Sequence, residues 1–87
     1  MKTFSLKISS PDGDLFCGDA EMLILRGTEG ELAVMAGHVP FVTAVVRNRC
    51  VVVTPDGGRK EGVIEEGILT VDAKAVTVLT SAVTWNT

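Results

Sequence analysis

The chain has 87 residues, 46% of them hydrophobic and 5% aromatic, with 8 basic against 11 acidic side chains and a formal net charge of -3. A chain this short makes one domain and buries only ~60–65% of its unfolded surface, so its core must be continuous. The acidic balance excludes a nucleic-acid surface, because phosphate contacts demand clustered Lys and Arg. Arg47, Arg49, Arg59 and Lys60 form the nearest thing to a basic group, and they read as solvated hairpin ends. No apolar signal-peptide core follows Met1, and every apolar run falls far short of the ~20 residues a spanning helix needs. The expectation is a soluble, cytoplasmic chain.

In chain order, Phe4, Leu6 and Ile8 alternate with Ser5, Lys7 and Ser9, the period of a strand with one buried face. Ser10, Pro11, Asp12, Gly13 and Asp14 then make a strong turn signal. Leu15 and Phe16 restart the apolar pattern, and Gly18 marks a bulge or close approach. Residues 21–26 (EMLILR) are apolar on both faces, and Gly27, Thr28, Glu29 and Gly30 turn the chain into a return strand, ELAVM. A corner at Gly37, His38, Val39 and Pro40 leads into FVTAVV, and Arg47 to Arg49 form a short turn before CVVVT. Pro55, Asp56, Gly57 and Gly58 form a hairpin turn, with Pro presetting φ and the Asp-Gly pair tolerating positive φ. Strands over GVIE, ILTV and AVTVL complete the set, and residues 81–87 read as a C-terminal tail holding the single tryptophan, Trp85. Short strands at intervals of ~8–12 residues, with no helical periodicity anywhere, predict an all-β sandwich or barrel.

Chemistry finds little support in this pattern. His38 is the only histidine, and no orienting carboxylate or nucleophile motif accompanies it. It reads as a cap on the Gly37–Pro40 corner or as a surface contact. The glycines carry no phosphate-binding spacing and open no helix, so they punctuate hairpins. Cys17 and Cys50 lack metal or redox spacing; they could form one disulfide, but a cytosolic context favours buried, reduced thiols, and one His with two distant Cys argues against a zinc site. Lys74, in the turn Asp72-Ala73-Lys74, loosely resembles the attachment lysine of lipoyl and biotinyl carrier domains. Ala73 intervenes where those domains set Asp directly before Lys, and Lys74 lies near the chain end rather than at its middle. No catalytic residue, metal or cofactor is expected.

Taken whole, GTEGELAVMAGHVPFVTAVV (residues 27–46) resembles the ATP synthase epsilon subunit. That family carries a block G-x-x-G-E-L-G, two apolar residues, P-G-H-x-P, two more, then T-A. Gly27, Gly30, Glu31, Leu32, Gly37, His38, Pro40, Thr43 and Ala44 match it. The opening MKTFSLKISSPDGDLF and the closing GILTV…VTVL also resemble the family, so the likeness runs collinearly over residues 1–80. Ala33 stands where the family has a further Gly, and Ala36 where it has Pro. The family usually continues into a pair of C-terminal helices credited with restraining hydrolysis and, in some members, binding ATP. The sequence given shows no such segment, so neither inhibition nor nucleotide binding is carried over.

The resemblance implies a flattened β-sandwich of about ten short strands in two sheets, residues 1–80, followed by the tail. It implies a non-catalytic domain on the central stalk of the proton-translocating ATP synthase, peripheral on the cytoplasmic side of the membrane. The domain would bind the gamma subunit and the c-ring and help couple proton flow to ATP synthesis. By match to the motif, Glu29, Gly30 and Glu31 turn toward the c-ring, and His38 and Thr43 toward gamma. The competing expectation is a free-standing β-sandwich module that serves another complex.

Overall fold

The computed structural model describes residues 2–37 and 39–86, and every regular element in them is a strand. The ten strands are β1 (Phe4–Ser10), β2 (Gly13–Ala20), β3 (Met22–Gly27), β4 (Gly30–Met35), β5 (Phe41–Val45), β6 (Asn48–Val53), β7 (Arg59–Ile64), β8 (Gly67–Val71), β9 (Ala75–Thr80) and β10 (Val83–Trp85). Among the described residues, no helix is long and apolar enough to cross a membrane.

The turns close as their side chains dictate. Ser10 Oγ accepts from the Asp12 amide at 3.2 Å and donates to the Gly13 carbonyl at 3.3 Å, so the β1–β2 turn is held by its own serine. In the β6–β7 turn, Asp56 Oδ1 accepts from the Thr54 hydroxyl at 2.5 Å and from the Gly58 amide at 3.0 Å. Those two bonds, the hydroxyl first, hold the Asp56 carboxyl below its ordinary range.

Backbone pairing follows the order β10-β7-β6-β3-β5-β8-β9-β1-β2, with β4 on the other edge of β3. β1 and β9 run parallel; the other pairs are antiparallel. Two layers result. One holds β4, β3, β6, β7 and β10, and the other β5, β8, β9, β1 and β2. The ladder joining them is a single residue pair, Gly27 with Val45, supported by the Val46 amide donating to the Arg26 carbonyl at 3.0 Å. In chain order the layers alternate, with crossings between β2 and β3, β4 and β5, β5 and β6, β7 and β8, and β9 and β10.

Alternation then decides what lies inside. Leu23, Leu25, Val34, Cys50, Val52 and Ile64 of one layer meet Leu6, Ile8, Val45, Leu69, Val71, Val76 and Val78 of the other in one apolar cluster. Side chains interlocked at the close packing of protein interiors make a stiff body. Residues 83–85, read from sequence as part of the tail, instead form β10 and extend the first layer along β7. Three residues are too few to show a period, but Val83 and Trp85 both pack on the core cluster. The Trp85 ring also carries Lys60 Nζ 5.0 Å from its centroid, a cation–π contact.

The thiols divide, contrary to the expectation that both are interior. Cys50 is fully buried, whereas Cys17 is exposed, because it falls on the outward parity of edge strand β2, opposite Lys7. Burial pushes the Cys50 thiol from 9.0 up to about 11. The folded state therefore holds this proton more tightly than the unfolded chain does. Its contribution to stability is complete below pH 9.0 and is lost as pH rises toward about 11, a loss on the order of 2–3 kcal/mol. Urea unfolding across this range should show that decline, and Cys50→Ala should flatten it. A thiol reagent should modify Cys17 alone in the native protein and both cysteines in denaturant.

Candidate docking surface

Two regions stand apart from the core. The first is the β3–β4 hairpin. Gly27 pairs with Gly30, and Gly30 has φ +125°, a conformation that a side chain at this tight tip would resist. The tip exposes Glu29 and Glu31, and neither carboxylate forms an ion pair among the described residues. Beside it lies a depression of about 340 Å³, lined by Glu29, Gly30, Glu31, Phe41 and Thr43 among others. Thr43 thus shares a hollow with the acidic tip. It has the inward parity of β5, and among the described residues its hydroxyl donates to the Ala44 carbonyl, at 3.4 Å. His38 lies outside the described residues.

The second region is the outer face of β5, β8, β9 and β1. Register sets Ala44 beside Ile68, Ile68 beside Leu79, and Leu79 beside Ser9, in one row across four strands. The neighbouring row is Val42, Thr70, Thr77 and Lys7. Val42 is 67% exposed, Leu79 56% and Ile68 44%. Single exposed hydrophobics are ordinary, but three gathered on one flat sheet face mark an interaction surface. The sequence reading passed over Val42, Ile68 and Leu79. Their signal was present in FVTAVV, ILTV and VTVL, where apolar residues sit on both parities of a strand that has only one face toward the core.

The opposite outer face differs in kind. Arg49 and Arg59 both reach Glu61, at 3.5 and 3.1 Å, and Arg47 meets Glu65 at 3.0 Å. These exposed pairs are worth ~0–1 kcal/mol each, and they keep that face solvated. Among the described residues, no group of three or more His, Cys, Asp or Glu side chains is placed to hold a metal ion. The geometry is that of a rigid body with an acidic tip and an apolar face, suited to contact.

Comparison with known proteins agrees. Residues 3–86 match the family described as ATP synthase, Delta/Epsilon chain, beta-sandwich domain, and the chain belongs to that family. The sodium-ion-specific ATP synthase epsilon chain of Acetobacterium woodii is 38% identical over 84 residues, 97% of this chain and 63% of that protein. The ATP synthase epsilon chain of Ruminococcus albus is 37% identical over 87 residues, 99% of this chain and 64% of that one. The chain thus spans a little under two thirds of the length of these curated relatives. The fold recurs in the Euglena gracilis mitochondrial ATP synthase, in a structure of OSCP, F1 and the c-ring. That match has a TM-score of 0.89 at 22% identity and covers 95% of this chain and 53% of the other. A second match is the central stalk and c-ring structure from Tetrahymena thermophila, with a TM-score of 0.75 at 9% identity, covering 95% and 66% of the two chains.

Proposed function

We propose that this domain is a non-catalytic part of the rotor of a proton-translocating ATP synthase, seated between the gamma subunit and the c-ring. It would lie peripherally on the cytoplasmic side of the membrane and help couple proton flow to ATP synthesis. The observation that carries this reading is the family match over residues 3–86. The exposed row Ala44–Ile68–Leu79 supports it by offering a flat apolar face on a stiff scaffold. In this reading gamma covers that outer face, with His38 on the gamma side, whereas Thr43 lies in the hollow beside the acidic tip. The tip Glu29-Gly30-Glu31 turns toward the polar loops of the c-ring, where its unpaired carboxylates meet basic side chains.

The two contacts separate by charge. Binding to purified gamma should survive Glu29→Gln combined with Glu31→Gln, because neither carboxylate belongs to the apolar face. Binding to detergent-solubilised c-ring should weaken about 5–10-fold in the same variant and lose much of its salt sensitivity. The decisive test is a pull-down with the folded gamma chain of the same organism. Recovery of nothing would sink the rotor reading and leave the free-standing interaction module.

A further inference from the structure

Where the apolar row reaches its end, the surface opens into a groove of about 450 Å³. It is lined by Ser9, Ser10 and Pro11 at the end of β1, by Leu79 and Ser81 at the end of β9, and by Glu66 before β8. Three serines and a proline leave room there that larger side chains would fill. Leu79 belongs to both features: it is the last apolar member of the row and part of the groove wall.

The wall is preformed. Thr80 is the buried polar residue at this end of the sheet, and its hydroxyl lies 3.0 Å from the Glu65 carbonyl and 3.2 Å from the Glu66 carbonyl. It therefore ties the β7–β8 connection to the end of β9. Glu65, one residue earlier, spends its carboxylate on Arg47 at 3.0 Å. Glu66 is exposed and forms no ion pair among the described residues. The groove is thus apolar in its continuation from Leu79 and carries one uncompensated negative charge on its wall.

We infer that this groove is the anchor pocket of the gamma contact, and that it takes one protruding apolar side chain of gamma with a basic residue beside it. The inference rests on the rotor reading and gives the partner's segment a chemistry. Interfaces concentrate their binding energy in bulky side chains seated in preorganised, desolvated pockets. The groove is continuous with the exposed row, so one partner surface covers both. The lone Glu66 carboxylate selects a cation over an anion or a neutral group as the neighbour of the inserted side chain.

The experiment titrates purified gamma against the wild-type chain, Ser81→Phe and Glu66→Gln, with thermal unfolding of each as a check on the fold. Both positions are exposed, so all three proteins should unfold within a few degrees of one another. Ser81→Phe fills the groove and should weaken gamma binding ~10-fold or more. Glu66→Gln should weaken it about 3–5-fold at low salt and flatten its salt dependence, as loss of a rim ion pair does. Wild-type binding by Ser81→Phe would overturn the anchor pocket while leaving the rotor reading intact. An unchanged salt dependence in Glu66→Gln would overturn the basic neighbour. Failure of the wild-type chain itself to bind gamma would bring down both readings.

Discussion

Replacing Ile68 by Glu should abolish tight binding to gamma, raising the dissociation constant by ~100-fold or more, or about 2.7 kcal/mol. Ile68 sits in the middle of the outer row, with Ala44 on one side and Leu79 on the other. Covering it removes apolar surface from water, and full burial of such a side chain is worth ~1.5–3 kcal/mol. A carboxylate in its place forfeits that gain and adds the cost of desolvating a charge with no partner. Because Ile68 points away from the core, the folded domain should lose only ~0.5 kcal/mol, the usual effect of a surface change. Isothermal titration with gamma, set beside urea unfolding, separates the two effects. Leu79→Glu should behave alike, and Thr70→Glu, one residue pair along, should matter less. Binding by Ile68→Glu at the wild-type level would show that gamma uses another face.

The second large effect concerns stability. A Cβ built at Gly67 would fall inside the Leu79 carbonyl oxygen and 3.1 Å from the Thr80 Cα. Those are backbone atoms of the paired strand β9, and they retreat only if β8 and β9 part. Gly67→Ala should therefore destabilise the domain by ~3 kcal/mol or more, toward the severe end of single substitutions. At a urea m-value of ~1–3 kcal/mol/M the midpoint falls by more than 1 M. For a domain of this size, with total stability of ~4–13 kcal/mol, that is a large fraction. Gly18→Ala is the control. Its added Cβ would meet only the Phe16 ring, at 3.9 Å, an ordinary contact, so its midpoint should barely move. An unmoved midpoint in Gly67→Ala would show that the two strands have slack at this point.

The strands were legible because alternation and turn chemistry agree locally: Leu6 and Ile8 alternate into the core, and the Ser10–Gly13 turn follows directly. β10 was not legible, since two apolar residues flanking Thr84 carry no period and the strand exists through its pairing with β7. The outer row was hidden for a different reason. Ile68 and Leu79 are far apart in the chain, and only the β8–β9 register sets them side by side. The parity of Thr43 posed the same difficulty. Its motif position named it, but the alternation of β5 turns it toward the hollow under the Glu29 tip, away from Val42 and Ala44. Cys17 was misjudged because composition treats cysteine as a core residue, whereas strand parity and an edge position decide its exposure. Glu66 gave no local signal at all. It stands out only because Glu65 next to it is paired and Glu66, among the described residues, is not.

The narrow seam between the layers sets how force passes through the domain. The acidic hairpin belongs to the layer of β3 and β4, and the apolar row to the layer of β5, β8 and β9, with one ladder pair, Gly27 and Val45, between them. A load entering on one layer and leaving from the other crosses as shear, carried by interdigitated side chains such as Leu25, Val34, Val45 and Leu69. The domain behaves as a bonded lap joint, whose compliance is a property of the adhesive and not of the plates. Trimming Leu25 or Leu69 in the interior would therefore soften the link between the two contact surfaces while leaving both of them chemically unchanged.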